Sequence, residues 1–353
     1  MPIKTIILLI LFVLQNGLAQ TKTLYVGTYT KGNSEGIYKL DFNTKTGVLS
    51  NKTLVAKIEN PSFITLTKNK KYLYAAAREA QHNVSAFKVE KDGKLNFINA
   101  LTSNGVGPCH VTTNKKGNRI AISNYGAGTA AIYSTYKDGK LKDTEQVFNH
   151  NTKKVKSHVH SALFFKNDLF IADLGRNAVY NYSLDNKTYK LKFDAIVKTT
   201  GNPGPRHFTL TKNGKYMYII NEYAGSITSV KKTKEGFTQI DYDSTLRKDF
   251  NGKNTCADIH LSKNEQFLYG SNRGENTIAV FKRNLNNGTI TKIQSISVHG
   301  NWPRNFTLDP TGKFLLVANQ KSENISIFNI DKKTGKLSFL NTTNIATPTC
   351  LLF

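Results

Sequence analysis

The chain is poor in cysteine and in acidic side chains, and beyond its first twenty residues it has no long apolar run. Its three cysteines, Cys109, Cys256 and Cys350, are odd in number and far apart. That spacing argues against a disulfide framework, and they read as small buried residues. No serine or cysteine sits in a recognisable nucleophile motif, so an acyl-enzyme is not expected. No stretch carries the period of an amphipathic helix, which excludes the helical fold classes. The 24 Asp and Glu face 49 Lys and Arg, a formal net charge of +25. Most lysines fall in turns such as "TKNKKY", "TNKKGN", "TKNGKY" and "DKKTGK". Charge scattered over many turns describes a solvated surface and not a track for nucleic acid.

The apolar run that is present lies at the start, in "MPIKTIILLILFVLQNGLAQ". One lysine precedes an unbroken apolar stretch from Ile6 to Leu14, and small residues follow at Gly17 and Ala19. The stretch is too short for a stable bilayer span, and the order of its parts is that of a secretory leader. Residues 1–20 are therefore expected to be removed near Ala19 or Gln20. No cysteine follows the cut to carry a lipid. The expected product is a single domain over residues 21–353, exported to the periplasm or the exterior and free of the membrane.

Self-similarity supplies the architecture. "PRHFTLTKNGKYMYIINEY" begins at Pro205, and "PRNFTLDPTGKFLLVANQ" repeats it from Pro303. Related segments are "PSFITL" at Pro61, "PCHVTT" at Pro108, "HVHSAL" at His158, "CADIHL" at Cys256 and "PTCLLF" at Pro348. Six of the seven are followed by a polar turn and a second apolar strand, then an alternating third strand and a fourth. Four short strands recurring every 45 to 51 residues predict an all-β, seven-bladed β-propeller of four-stranded blades. The segment after Thr21 offers second, third and fourth strands without a first, and "PTCLLF" is a first strand without a sequel. The two ends should complete one blade together and leave no open sheet edge.

In such a ring the first strands line the channel, and second strands end where first strands begin. The changed residues of the repeat should crowd one mouth. With "HVHSAL" aligned from His158, the third residues of the first strands are Phe63, His110, His160, His207, Asp258, Asn305 and Cys350. The second residues include Arg206 and Arg304, and the second strands end in Asn124, Asp173, Asn221-Glu222, Asn272-Arg273 and Asn319. His110, His160 and His207 at one level suggest either ligand contact or a metal site. The arginines nearby would repel a cation, so neither a metal nor another cofactor is expected. Asn and Asp at strand ends are often turn formers that bond their own backbone.

The pieces "GPCH", "SNYGAG", "SHVHSALF", "ADLGRNAVYNY", "GPRHFTL", "NEYAGS", "SNRGENTIAVF" and "WPRNFTLDPTGKFLLVANQ" come in order along the mature chain. Together they resemble the seven-bladed propeller lactonases, which include 6-phosphogluconolactonases and the carboxymuconate-lactonizing enzymes. The resemblance implies a catalytic set of His160 in "HVH", Arg206 in "GPRH", Glu222 in "NEY" and Arg273 in "SNRG". His110, His207, Arg304, Asn124, Asp173 and Asn272 are then expected to contact substrate. The chain departs from the family at Asn177, where relatives often carry an aspartate. The leader is a second departure, since a phosphogluconolactone forms in the cytoplasm.

These readings converge on hydrolysis of a sugar lactone. Glu222 or His160 would take a proton from water, Arg206 and Arg273 would stabilise the oxyanion, and Arg304 and His110 would orient phosphate or hydroxyls. A cycloisomerase using the same arginines to clamp a diacid, and a non-catalytic propeller that binds carbohydrate or protein, are the rival readings. The expected partner is a small lactone; the sequence does not specify an oligomeric state.

Overall fold

A computed structural model describes residues 20–30, 32–78, 83–192, 197–198 and 201–353. The leader, up to Ala19, lies outside them. The described residues form seven antiparallel sheets and contain no helix. In six sheets the strand order follows the chain outward from the channel, in the seventh the last strand of the chain is innermost, and Val197–Lys198 adds a short fifth strand to one blade. The predicted closure is present. The last strand, Pro348–Leu352, lies beside Thr21–Thr28, with Tyr25 opposite Leu352 and Gly27 opposite Cys350. Tyr29 N donates to Thr347 O at 3.1 Å just beyond that ladder, and the Thr347 hydroxyl returns a bond to Tyr29 O.

Burial is greatest in the second strands and falls toward the rim, and the residue types follow it. Second strands such as Tyr216–Asn221 and Phe314–Asn319 are buried on both faces, because each is flanked by two neighbouring blades. They accordingly read as near-continuous apolar runs. Fourth strands such as Phe237–Ser244 form the rim and alternate between covered and exposed positions. Seven apolar clusters fill the seven gaps between blades; one joins Leu24, Val26, Leu40 and Phe42 to Leu316, Ala318, Ile325 and Ile327. A tyrosine recurs as a latch between blades. Tyr74 OH donates to Gly139 O at 2.9 Å, Tyr218 OH to Gly288 O at 2.8 Å and Tyr269 OH to Gly335 O at 3.0 Å.

One register differs from the sequence alignment and matters for function. Val159 pairs with Asp173 just as Pro205 pairs with Asn221 and Pro108 with Asn124. His160 therefore matches Arg206, Cys109 and Arg304 at the second position of its strand, and Ser161 takes the third. The three histidines do not share one level. The alignment went wrong because "HVH" offers two histidines and no proline to mark the start.

Candidate active site

The ladders between first and second strands slip at the same place. The register shifts between Pro108 and His110, Val159 and Ser161, Pro205 and His207, and Pro303 and Asn305. A bulge leaves one residue out of the ladder and re-aims its side chain. The residues so released are Cys109, His160, Arg206 and Arg304, and three of them are members of the expected site.

Arg206 is only 2% exposed. Its Nη1 donates to Ala257 O at 2.5 Å, and its Nε lies 3.0 Å from Glu222 Oε2. That carboxylate oxygen is off the Nε–H axis, since Nε has no hydrogen-bond acceptor, so the contact is an ion pair by charge more than by direction. Arg273 comes from the next blade. It donates through Nη2 to Cys256 O at 2.9 Å and through Nε to Thr255 O at 3.2 Å. Its Nη2 is 3.0 Å from the same Glu222 Oε2. One carboxylate oxygen thus holds two guanidiniums side by side. Burial and then the neighbouring Arg273 lower the Arg206 pKa to about 9, which leaves it cationic at neutral pH. Arg304 is close enough to act electrostatically on His160, Arg206 and Arg273.

His160 is buried, and its Nδ1 has no hydrogen-bond partner. Burial, then Arg206, His207, Arg304 and Arg273, hold its pKa well below the usual histidine range. It is a neutral imidazole at neutral pH with an unengaged ring nitrogen, which suits it to accept a proton.

Aromatic side chains that the sequence reading passed over surround this cluster. Tyr125 meets His160 edge to face at 5.7 Å and stacks on His158 at 4.6 Å. Tyr223, 46% exposed, makes a hydroxyl contact with Tyr125. Trp302 lies between Arg273 and Lys321, whose cationic centres are 5.3 and 3.5 Å from its ring. Tyr29 lies under both Arg78 and Arg304. The signal was available, because "SNYG", "NEY" and "WPR" each place an aromatic beside a residue already singled out. Gly204, the glycine of "GPRH", has φ +69, and a Cβ there would come within 2.7 Å of the Tyr223 ring.

Other expected contacts lie elsewhere. Asn124 donates to Ser103 O at 2.8 Å and Asn272 to Thr245 O at 3.1 Å, both fully buried within their blades. Asp173 accepts from His158 N at 2.9 Å, Arg176 N at 3.1 Å and His150 Nδ1 at 3.0 Å. These three side chains satisfy loop backbone and neighbouring polar groups, as strand-end Asn and Asp commonly do, and do not join the cluster. Asn177 also braces a loop, through Asn202 at 3.0 Å and Gly204 N at 3.0 Å. His110 and His207 sit one layer deeper, toward the opposite opening. There they line a cavity of about 270 Å³ with Phe63, Asp258, His260 and Asn305. His110 packs on Phe63 at 4.3 Å and accepts from Ala162 N at 3.4 Å. Among the described residues no group of His, Cys, Asp or Glu is arranged to hold a metal ion.

The model for the seven-bladed β-propeller lactonases matches residues 23–353. The chain belongs to that family. It is 35% identical to a 6-phosphogluconolactonase of Formosa agariphila over 90% of this chain and 95% of that protein. It is 33% identical to the 6-phosphogluconolactonase of Bacillus subtilis over 93% of this chain and 97% of that one. Among solved structures it resembles a periplasmic gluconolactonase of Pseudomonas aeruginosa, with TM-score 0.87 at 26% identity over 94% of this chain and 98% of the other. No described helix of this lactonase is long and apolar enough to cross a membrane.

Proposed function

We propose that this lactonase opens a sugar lactone at the channel mouth, with His160 as base and Arg206 and Arg273 as oxyanion donors. The observation that carries the assignment is the pair of guanidiniums joined through one carboxylate oxygen of Glu222, beside a neutral, unpartnered His160. Water loses a proton to the imidazole as it attacks the lactone carbonyl. Negative charge develops on the carbonyl oxygen, where preorganised cations in a buried site lower the barrier. Collapse of the tetrahedral intermediate breaks the ring C–O bond, and the proton held by His160 passes to the departing alkoxide. The carboxylate of Glu222 has an oxygen already committed to two cations, so it serves to align them. Tyr125, Tyr223 and Trp302 offer ring faces for the sugar, and Arg304 faces its hydroxyls or an anionic substituent.

A lactone-opening assay over free and phosphorylated sugar lactones tests the assignment. His160→Asn is expected to lower turnover roughly 10²-fold or more on the best substrate. Turnover near that of the unmodified enzyme would remove His160 as the base. Export belongs to the same proposal, supported by the pattern of residues 1–20 and by the periplasmic relative. Mass spectrometry of the N-terminus of the protein from its native host checks it: a chain that begins near Thr21 is expected, and one that retains Met1 refutes export by this leader.

A further inference from the structure

Beneath the arginines lies a buried polar group that the proposed reaction does not use. Asp258, 3% exposed, receives five donors on its two oxygens. Oδ1 takes His207 Nδ1 at 2.7 Å and Ile259 N at 3.0 Å. Oδ2 takes His260 Nε2 at 3.0 Å, Asn305 Nδ2 at 2.6 Å and Phe306 N at 3.3 Å. A carboxylate so surrounded is ionised and only accepts. The proton of the His207 ring must therefore sit on Nδ1, and in the neutral ring Nε2 is left with a lone pair.

That lone pair has one neighbour able to use it. Arg206 Nη1 lies 3.3 Å from His207 Nε2, and a guanidinium can only donate. We infer that His207, oriented by Asp258, is a positioning residue that holds the Arg206 guanidinium at the angle the developing oxyanion needs. The guanidinium is then located from three sides: Glu222 across the mouth, Ala257 O in the next blade, and His207 from below. The His207 that the sequence suggested as a substrate contact acts through Arg206 instead. Asp258 stands to His207 as a carboxylate that sets the tautomer of the ring. Burial and the adjacent Arg206 favour the neutral ring, against the pull of Asp258.

This inference rests on reading Arg206 as the oxyanion donor, and the test separates the two. Nitrogen-15 NMR of the imidazoles in the unmodified enzyme is expected to show His207 protonated on Nδ1 and bare on Nε2 throughout neutral pH. A proton on Nε2 would overturn the inference, since two donors cannot bond each other. In kinetics, His207→Asn keeps a donor for Asp258 but removes the acceptor under Arg206. It is expected to lower kcat about tenfold with KM little changed, as for a bond needed in the transition state. His207→Gln, which restores an amide near the Nε2 position, should recover part of the loss. In an Arg206→Lys background His207→Asn should add almost nothing. If Arg206→Lys itself turns over normally, the reading of Arg206 fails. If Arg206→Lys is impaired while His207→Asn is silent or multiplies with it, only the present inference fails.

Discussion

Glu222 illustrates how much a role depends on partners. Placed by sequence beside arginines, it looks like a base; in the structure its Oε2 bridges Arg206 and Arg273 at 3.0 Å each. Glu222→Gln removes the charge that holds two cations together, so kcat/KM should fall by about 10- to 100-fold as the oxyanion donors separate. The pH–rate profile distinguishes this from loss of a base. As the proposed base His160 must be neutral, and its pKa is depressed, so activity should be flat at neutral pH and fall only below the ordinary histidine range. That acid limb should persist in Glu222→Gln. A Glu222→Gln variant whose acid limb has vanished would return the base role to the carboxylate. Arg206→Lys keeps charge but not the planar fork that meets Glu222, Ala257 and His207 at once, and should be impaired for that reason.

At the scale of the element, the repeat is held by hairpin turns that fit against tyrosines of the neighbouring blade. Gly288 has φ +84, and a Cβ there would lie 2.3 Å from the Tyr216 ring. Its carbonyl also accepts from Tyr218 OH. Gly288→Ala therefore combines strain at a left-handed position with a clash against a buried ring, and should lower stability by about 2 kcal/mol or more. Tyr218→Phe removes only the hydroxyl bond and should cost about 1 kcal/mol, although Arg283 Nε, 2.6 Å from that oxygen, loses an acceptor too. Urea denaturation of both variants checks the order; equal stability of Gly288→Ala and the parent would mean the turn relocates without strain.

For the whole molecule, closure and acidity are the levers. A chain ending before Pro348 loses the strand that pairs with Thr21–Thr28 and leaves that strand's inner edge unpaired, so it should melt well below the full chain. Equal melting would deny the closure a role in stability. Acid should weaken the ring by a separate route. His160 and His207 are buried and His110 is half-buried, and all three have lowered pKa values, His207 to about 4. Unfolding lets them take up protons near 6.5, so in the interval from about 6.5 down to about 4 the unfolded chain binds more protons and stability falls with pH. His260, raised by Asp258 against the effect of burial, works in the opposite sense, but its stabilisation builds up above 6.5, as pH falls through its folded-state pKa, and is complete below 6.5. Below 6.5 the three lowered groups therefore act without that offset, and their loss is read as a melting temperature that drops between pH 6.5 and pH 4.5. A constant melting temperature over that range would show the three rings to be solvated.

The repeat of "PRHFTL", its polar turn and its apolar second strand determined seven blades, because alternation and turn chemistry are local and each blade must find a partner face. The unpaired ends determined the closure by the same logic. Arg206, Glu222 and Arg273 were legible because the topology puts strand starts and strand ends at one mouth. The depth of each side chain was not legible. A bulge at the second position sends His160, Arg206 and Arg304 upward, while the third position drops His110 and His207 into the lower layer. Nothing local marks that slip in "HVH", and nothing local says that Asn124, Asp173 and Asn272 spend their hydrogen bonds on loops. Pairing register and hydrogen-bond partners are settled between segments dozens of residues apart, so only the closed ring could decide which polar residues meet at the mouth and which lie in the deeper layer or within the blades.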